Sequence, residues 1–276
     1  MAARKSPALL KQFRSFLSSV DFYTFAFPPQ CISCENQLFD EDLLTANRHE
    51  DSDSRSILGD QNWCERCLDQ VRAPLEERCP TCGAIVAVHA SYKGRCRLCY
   101  ASKFHFSQAV CINNYGGLMQ ELVIRMKGRK DECLAMQLGT LLGHEMQRLD
   151  LVDQIDVLAP VPTHWMKKFR NGFQASELIC GRASKTTGIP HVGALMKATH
   201  PTEKQGMLSD LQRLDNVKGA FAFNPFFAEK IKGKTVALVD DVMTSGATAD
   251  QCAKALKKAG AANVVVAVVA RGAKAQ

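Results

Sequence analysis

The sequence lacks a long hydrophobic run. None of its apolar segments approaches the ~18 residues that a membrane-spanning helix needs. The first twenty residues, MAARKSPALLKQFRSFLSSV, also lack the unbroken apolar core of a secretory signal, because Lys11, Gln12 and Arg14 interrupt it. The apolar residues there recur at helical spacing, which predicts an amphipathic segment over residues 1–30 that packs on its own protein rather than on a membrane surface. We therefore expect a cytoplasmic protein without a membrane span.

A second absence concerns nucleotide binding. The chain has no G-x-x-x-x-G-K-[ST] pattern, which excludes a Walker-type phosphate loop. Its hydrophobic fraction of 46% and charged fraction of 23% are those of an ordinary folded protein, so neither a fibrous nor a disordered class is indicated.

Cysteines are abundant and unevenly placed. Eight of the twelve form four C-x-x-C pairs, all between residues 31 and 99. A disulfide framework needs an oxidising compartment, and nothing in the sequence directs export. Two thiolates on one tight turn supply half of a tetrahedral zinc shell, so the pattern favours two closed, structural Zn²⁺ sites. The predicted ligands are Cys31, Cys34, Cys64, Cys67, Cys79, Cys82, Cys96 and Cys99. The other four cysteines (Cys111, Cys133, Cys180 and Cys252) are interpreted as packed thiols.

The pairing of these motifs is open between two arrangements. Sequential pairing would join the first C-x-x-C to the second and the third to the fourth, giving two zinc ribbons over residues 31–103. A crossed arrangement would join the first to the third. We favour the sequential form, in which the first ribbon carries a long polar loop at residues 40–62, interpreted as an exposed and partly disordered excursion.

Residues 104–276 have a different pattern, in which apolar strands alternate with amphipathic helices. Strands are expected within residues 155–162, 234–241 and 263–271, and helices within 118–127, 133–146, 173–188 and 246–261. This alternation predicts an α/β fold with a parallel sheet covered by helices on both faces.

The stretch VALVDDVMTSGAT, residues 236–248, is the segment that indicates a ligand-binding site. In an open α/β sheet ligands bind beyond the carboxyl ends of the strands, where Asp240 and Asp241 are expected to lie. The small residues 244–248 that follow can expose backbone N–H groups at a helix N-terminus and cradle a phosphate. Carboxylates repel phosphate but accept hydrogen bonds from sugar hydroxyls, so the pattern favours a 5-phosphorylated ribose. A capping turn alone would not need two adjacent aspartates.

These residues resemble a known family. VALVDDVMTSGAT is similar to the 5-phosphoribosyl 1-pyrophosphate (PRPP) binding motif of type I phosphoribosyltransferases, and nearly the whole chain resembles the ComF family of competence-associated proteins. The segments that carry the second resemblance are FPPQCISC, LVIRMKGR, APVPTHWMKKFRNGF and TEKQGMLSDLQRLDNVKGAF. The first leads into the zinc ribbons, the second contains Lys127, and the third contains the basic loop.

The resemblance implies the fold of type I phosphoribosyltransferases and assigns roles to residues. Mg²⁺ is expected to accompany PRPP and to neutralise the leaving pyrophosphate. The implied PRPP-binding residues are Val239, Asp240, Asp241, Thr244, Ser245, Gly246, Ala247 and Thr248. Asp240, Asp241, Lys127 and Arg170 are the catalytic candidates. Lys127, Lys167, Lys168 and Arg170 are expected near the pyrophosphate, with a solvated basic face as an equal alternative.

The chain departs from the family pattern in two segments. The basic loop usually reads Arg-Gly-Phe-Asn-Gln, and here Asn171, Gln174 and Ala175 replace its first, fourth and fifth residues. Arg170, one place earlier, is the candidate to substitute for the missing arginine. Arginines usual ahead of the T-x-x-Q segment are replaced by Ala198 and His200.

The net charge of the chain bears on whether it binds nucleic acid. The formal net charge is +7, and two zinc ions bound by eight thiolates would lower it to about +3. A basic strip with aromatic residues in the second ribbon could track a single nucleic-acid strand. The strip consists of Lys93, Arg95, Arg97 and Lys103 with Tyr92, Tyr100 and Phe104.

Two functional classes remain open. In the first, the protein is a phosphoribosyltransferase that uses PRPP, or binds ribose 5-phosphate, with an unidentified acceptor. In the second, it is a non-catalytic PRPP-sensing module whose zinc ribbons contact single-stranded DNA or a competence partner protein. The resemblance implies a role in natural competence, DNA uptake and single-stranded DNA handling in either class.

Overall fold

The structure is a computed structural model. It describes residues 29–38, 62–73, 78–86, 91–92, 94–97, 99–162, 174–199 and 219–272. Several predictions fall outside these ranges: the amphipathic N-terminal segment, most of the polar excursion, the basic loop with Lys167, Lys168, Arg170 and Asn171, and the segment with His200. Among the described helices, none combines the length and the hydropathy that crossing a bilayer requires.

The chain divides into two compact units, residues 1–67 and 68–276. In the first unit, the turn that carries Cys31 and Cys34 is closed by the Glu35 amide, which donates to the Cys31 carbonyl at 2.8 Å. The Ile32 amide donates to the Asn62 carbonyl at 2.7 Å, which ties this turn to the segment before the second C-x-x-C motif. The expected domain boundary at residues 103 and 104 stays a prediction.

In the described part of the chain, helices and strands are few and short before residue 104, whereas longer strands and helices alternate after it. They are α1 (Glu65–Val71), β1 (Ser91–Tyr92), β2 (Arg95–Cys96), β3 (Gln108–Asn114), α2 (Gly117–Arg129), α3 (Glu132–Arg148), β4 (Val157–Pro160), α4 (Ala175–Thr187), β5 (Met196–Ala198), β6 (Phe221–Phe223), α5 (Ala228–Ile231), β7 (Thr235–Met243), α6 (Ala247–Lys258) and β8 (Asn263–Arg271). Short 3₁₀ turns lie at Val152–Gln154 and Pro225–Phe227.

Four parallel strands form the central sheet, in the order β3-β8-β7-β4. The inner strand β8 is apolar except at its two ends, and its residues 264–271 are all buried. A parallel strand covered on both faces buries side chains of both orientations, which explains the continuous valine run. Each strand and helix predicted within residues 104–276 forms, and the predicted parallel α/β fold is confirmed. Two short antiparallel pairs, β1-β2 and β5-β6, lie outside this sheet.

The two faces of the sheet have different partners. Helices α3 and α4 pack on each other and on the strands, with α3 on β3 and β8 and α4 on β4 and β7. On the other face, Val236 and Leu238 of β7 and the alternate valines of β8 join the apolar side chains of α6. The four cysteines from Cys79 to Cys99 belong to that same core. The second cysteine cluster is therefore packed against the sheet, within the same compact unit.

Candidate functional site

The eight cysteines of the C-x-x-C motifs form two clusters. Cys31, Cys34, Cys64 and Cys67 make the first cluster, and Cys79, Cys82, Cys96 and Cys99 make the second, with all sulfur atoms of a cluster within 4.8 Å of one another. This is the sequential pairing, and the crossed arrangement is not found.

The sulfur separations fit zinc and not disulfides. The Sγ atoms of Cys34 and Cys64 are 3.8 Å apart, and those of Cys79 and Cys99 are 3.7 Å apart. All eight thiols are free. A tetrahedral Zn²⁺ with Zn–S bonds of about 2.3 Å places its sulfurs about 3.8 Å apart, whereas a disulfide requires about 2.05 Å. Each cluster could therefore hold one Zn²⁺.

The second cluster is seated on the sheet through a close backbone contact. Gly83, directly after Cys82, has a φ of +68°, and a Cβ atom there would lie 2.6 Å from the Ala109 carbonyl oxygen of β3. Only glycine fits both constraints. The four cysteines of this cluster are at most 1% exposed. Of the other cysteines, Cys111, Cys180 and Cys252 are packed thiols as predicted, whereas Cys133 is exposed in the first turn of α3.

Asp240 and Asp241 lie near the carboxyl end of β7, where successive side chains alternate between the faces of the sheet. Asp241 meets Lys127 from the last turn of α2, and its Oδ2 atom lies 2.9 Å from the lysine Nζ. Asp240 interacts electrostatically with Cys252 of α6, whose pKa is raised by burial and by that carboxylate. The structure thus brings the predicted pair together with Lys127, and it gives the two carboxylates different surroundings.

The pKa values of this group follow from burial and mutual charge. Burial raises the pKa of Asp240 to about 8, and the Asp241 carboxylate adds to the rise. The Asp241 amide, which donates to Asp240 Oδ1 at 2.9 Å, and the Lys127 ammonium act in the opposite direction. Burial alone would lower the pKa of Lys127, but the carboxylates of Asp241 and Asp240 outweigh it and raise the pKa. Lys127 therefore stays protonated at neutral pH, and Asp240 readily holds a proton.

The predicted phosphate loop is a tight turn between β7 and α6. Gly246 is the residue before the first helical turn and has a φ of +82°. A Cβ atom there would lie 3.0 Å from the Phe104 ring, so the position suits glycine alone. Among the described residues, the amides of Thr244, Ser245 and Gly246 donate to no protein acceptor. Unpaired amides at the positive end of a helix form an anion site.

The other predicted site residues take various places. Ala247 and Thr248 lie in the first turn of α6, beside this loop. Val239 is fully buried, and its carbonyl accepts from the Val161 amide at 2.8 Å, so its role is to hold β7 against β4. Val161 lies just past β4, and the basic loop with Arg170 lies outside the described residues. Ala175 begins α4, and the neighbouring Ser176 hydroxyl donates to the Val161 carbonyl at 3.1 Å.

Three residues that the sequence did not single out lie at this loop or at the first turn of α6. The His105 amide and ring Nδ1 both contact Asp250 Oδ1 of α6, at 2.6 and 2.9 Å. Arg271, at the end of β8, donates to the carbonyls of Met243 and Thr244 behind the loop. A histidine, an aspartate and an arginine far apart in sequence carry no local pattern, so only the fold reveals them.

Comparisons with known proteins find relatives of this chain and a domain match over its last segment. The phosphoribosyl transferase domain family matches residues 209–276, which include β7, the loop and α6. Competence protein F of Haemophilus influenzae is 26% identical over 211 residues, covering 75% of this chain and 90% of that protein. DNA utilization protein YhgH of Escherichia coli strain K12 is 27% identical over 212 residues, covering 76% and 90%. The relatives and the domain match support the resemblance to the ComF family that the sequence predicted.

Two solved structures are similar to part of this chain. One is the allosteric regulatory enzyme of purine biosynthesis, with 22% identity, a TM-score of 0.33, and coverage of 49% of this chain and 25% of that one. Another is the glutamine phosphoribosylpyrophosphate amidotransferase of B. subtilis complexed with ADP and GMP, with 21% identity and the same TM-score and coverage.

Proposed function

We propose that the protein binds PRPP at the carboxyl end of β7 and transfers its phosphoribosyl group to an acceptor. The observation that carries this proposal is that Asp240, Asp241 and Lys127 lie beside a turn whose amides have no acceptor among the described residues. The match of residues 209–276 to the phosphoribosyl transferase domain supports the choice of ligand.

Each part of PRPP has a complementary group. The amides of Thr244, Ser245 and Gly246 bind the 5-phosphate, together with the positive end of α6. The carboxylates of Asp240 and Asp241 accept hydrogen bonds from the ribose hydroxyls. Lys127 fixes the orientation of Asp241 through their 2.9 Å contact and adds positive charge near the ribose.

Mg²⁺ is proposed to arrive with the pyrophosphate, and when bound it would stabilise the charge that develops on the leaving group. In the part of the chain that the structure describes, the only groups of three or more metal-binding side chains are the two cysteine clusters. The chain's own contribution is proposed to be positioning of the sugar and stabilisation of charge, with Arg170 in the basic loop contacting the pyrophosphate.

Calorimetry with PRPP and Mg²⁺ tests the donor site. The double variant Asp240→Asn plus Asp241→Asn should bind more weakly, because each lost charge-assisted hydrogen bond contributes roughly 1.5–3 kcal/mol, or about tenfold or more in affinity. Asp156→Asn is a matched control, since Asp156 accepts the Thr235 amide at the opposite end of β7. Equal affinities of the wild type and the double variant would show that the aspartates do not contact the ligand.

Release of pyrophosphate decides between the two classes of function. Incubation with PRPP, Mg²⁺ and a panel of bases, amines and single-stranded DNA identifies an acceptor if catalysis occurs. Binding without release from any of them would favour a PRPP-sensing module.

A role in DNA handling is the second proposal. Tyr100 is 59% exposed between the exposed Arg97 and Lys103. An exposed aromatic ring flanked by cations suits stacking of a nucleobase with neutralisation of its phosphates. The similar proteins are named for competence and DNA utilization, which supports this assignment. Tyr100→Ala should weaken binding of labelled single-stranded DNA by roughly 1–3 kcal/mol, and unchanged binding would refute this surface.

A further inference from the structure

Strand β3 stands at one end of the sheet order β3-β8-β7-β4, so one of its edges has no neighbouring strand among the described residues. An open strand edge presents unpaired N–H and C=O groups that can pair with another chain. Here β3 contacts residues 70–86 instead, of which the structure describes 70–73 and 78–86. We call residues 70–86 the edge segment. It carries the third C-x-x-C motif, and therefore two of the four cysteines of the second cluster.

Two asparagines at the carboxyl end of β3 bind the edge segment. The Asn114 Nδ2 atom donates to the Ile85 carbonyl at 2.7 Å, and its Oδ1 atom accepts the Ile85 amide at 3.0 Å. Paired strand residues exchange the same two bonds through their backbones. Asn113 Nδ2 donates to the Val71 carbonyl at 3.1 Å. These side chains therefore replace part of the pairing that a further strand would provide.

Arg78 joins the edge segment to α3, which packs on the opposite face of the sheet from the second cluster. Its side chain is 8% exposed, and its guanidinium donates to the carbonyls of Cys111 and Ile112 in β3. Its Nη2 atom also lies 3.2 Å from Oε1 of Glu145, a buried residue of α3. A planar guanidinium can serve these acceptors at once, whereas an ammonium is a single point charge. Arg78 thus connects the edge segment, β3 and α3.

The turn of the third C-x-x-C motif is fixed on β3 as well. Arg78 directly precedes Cys79, and Gly83 directly follows Cys82. The Gly83 amide donates to the Cys79 carbonyl at 2.9 Å, and the Gly83 carbonyl accepts from the Cys111 thiol of β3 at 3.0 Å. The contacts that hold this part of the edge segment on β3 therefore lie directly before and directly after the two cysteines.

The sulfur separations of the second cluster fit Zn²⁺, and the metal when bound would tie this turn to the fourth C-x-x-C motif. The described part of the edge segment contains only the end of α1 and one isolated bridge between Arg78 and Ile85. Segments with so little regular structure commonly depend on their metal for a fixed conformation. Loss of zinc should therefore release the edge segment from β3.

The sequence of β3 would allow it to pair with itself. Its residues, QAVCINN, include no charged residue and no proline. Charged side chains and prolines are common means by which edge strands avoid pairing with each other. Two copies of one strand can also meet about a two-fold axis, which gives a closed dimer.

We propose that the second zinc site controls access to the outer edge of β3. While the four cysteines hold the metal, Arg78 and the rest of the edge segment shield this edge. When the metal is lost, the edge pairs with β3 of a second copy of the chain. The inference is independent of the proposed function, because none of its contacts involves the PRPP site.

Two cysteine variants of the full chain test the role of the metal. Cys82→Ser removes a ligand of the second cluster, and its β3 amides should exchange with deuterium about tenfold faster than in the wild type at low protein concentration. At high concentration, sedimentation should show about twice the wild-type mass. Cys34→Ser is the matched control, since it removes a ligand of the first cluster, whose cysteines all lie in the other compact unit. It should lose as much zinc and match the wild type in both measurements.

Arg78→Met tests the contact itself while all eight cysteines stay in place. Without the donors to Cys111 and Ile112, the β3 amides should again exchange about tenfold faster, while those of β7 keep their wild-type rates. Arg182→Met is the matched control, since Arg182 donates instead from α4 to the Thr140 hydroxyl of α3 at 3.0 Å. It should leave the exchange of β3 unchanged.

Each outcome bears on one part of the proposal. Wild-type exchange and mass in a folded Cys82→Ser variant would overturn it, and so would equal changes in Cys34→Ser and Cys82→Ser. Faster exchange of β3 without a change in mass would keep the covering role and refute pairing with a second copy. If Cys82→Ser does not fold, shown by fast exchange in β7 as well, the arginine variants decide. Equal exchange of β3 in Arg78→Met and Arg182→Met would then overturn the covering role.

Discussion

Replacing Asp240 with asparagine should stabilise the free protein while weakening its binding of PRPP. Burial, and then the neighbouring Asp241, raise the pKa of Asp240 from 3.8 to about 8. The folded protein therefore holds a proton that the unfolded chain has released. Asparagine has nearly the same shape, carries no charge, and avoids the cost of ionising the buried carboxyl.

The size and sign of this effect follow from the linkage between proton binding at Asp240 and the free energy of unfolding. Each pH unit between the two pKa values removes at most about 1.4 kcal/mol from the free energy of unfolding. The penalty starts as pH rises above about 4, grows until about pH 8 and is constant beyond it. The full rise corresponds to at most about 5–6 kcal/mol. Because the side chain is only partly buried, solvent screening reduces this value, and we expect on the order of 3–5 kcal/mol.

Urea unfolding at several pH values measures the difference. Between pH 6.5 and 8, Asp240→Asn should gain up to about 2 kcal/mol relative to the wild type, and the gain should level off by about pH 9. Asp156→Asn, whose side chain accepts the amide of Thr235 at the opposite end of β7, is the control for replacing an aspartate beside this strand. A variant at Asp240 that is less stable than the wild type at pH 8 would refute the reasoning, since it would mean that the free protein prefers the ionised carboxyl.

Three further predictions concern the metal, the lysine and the loop. Elemental analysis should find two Zn²⁺ per chain, because the two clusters supply eight thiolates; a value near zero with four disulfides would contradict the zinc assignment. Lys127→Met should weaken PRPP binding but cost only about 1 kcal/mol of stability in urea unfolding, since the lysine side chain of its ion pair is 48% exposed; unchanged PRPP affinity would exclude the lysine from the site. Gly246→Ala should destabilise the protein by about 1–3 kcal/mol, because alanine is strained at a φ of +82° and meets Phe104; a thermal unfolding midpoint equal to that of the wild type would show that the loop relaxes freely.

The sequence predicted the parts of the fold that local patterns determine. The valine-rich strand β8 forms over the predicted residues 263–271, because a continuous apolar run between turn-forming residues suits a strand buried on both faces. The turn after β7 was predicted from its small residues, and the aspartates lie at the expected edge of the sheet.

Other features depend on contacts between distant segments and left no local signal. Arg271 has the sequence context of an ordinary surface charge, and its burial results from the meeting of the ends of β8 and β7. Strands β5 and β6 have only three residues each, which is too short for a periodic pattern in the sequence. Cys133 was interpreted as a packed thiol together with the other cysteines outside the C-x-x-C motifs, but it is exposed in the first turn of α3.

The position of β8 in the sheet has a consequence for how the chain folds. β8 follows the other described strands in the chain, yet it pairs with β3 on one side and β7 on the other. During synthesis, more than half of the polypeptide is added between β3 and β8, so β3 lacks its neighbour in the sheet until late. Contacts between such distant segments slow folding and leave apolar edges exposed meanwhile. A premature stop that removes β8 should therefore yield an aggregating product or a substrate for proteases, even though the motif on β7 would be complete.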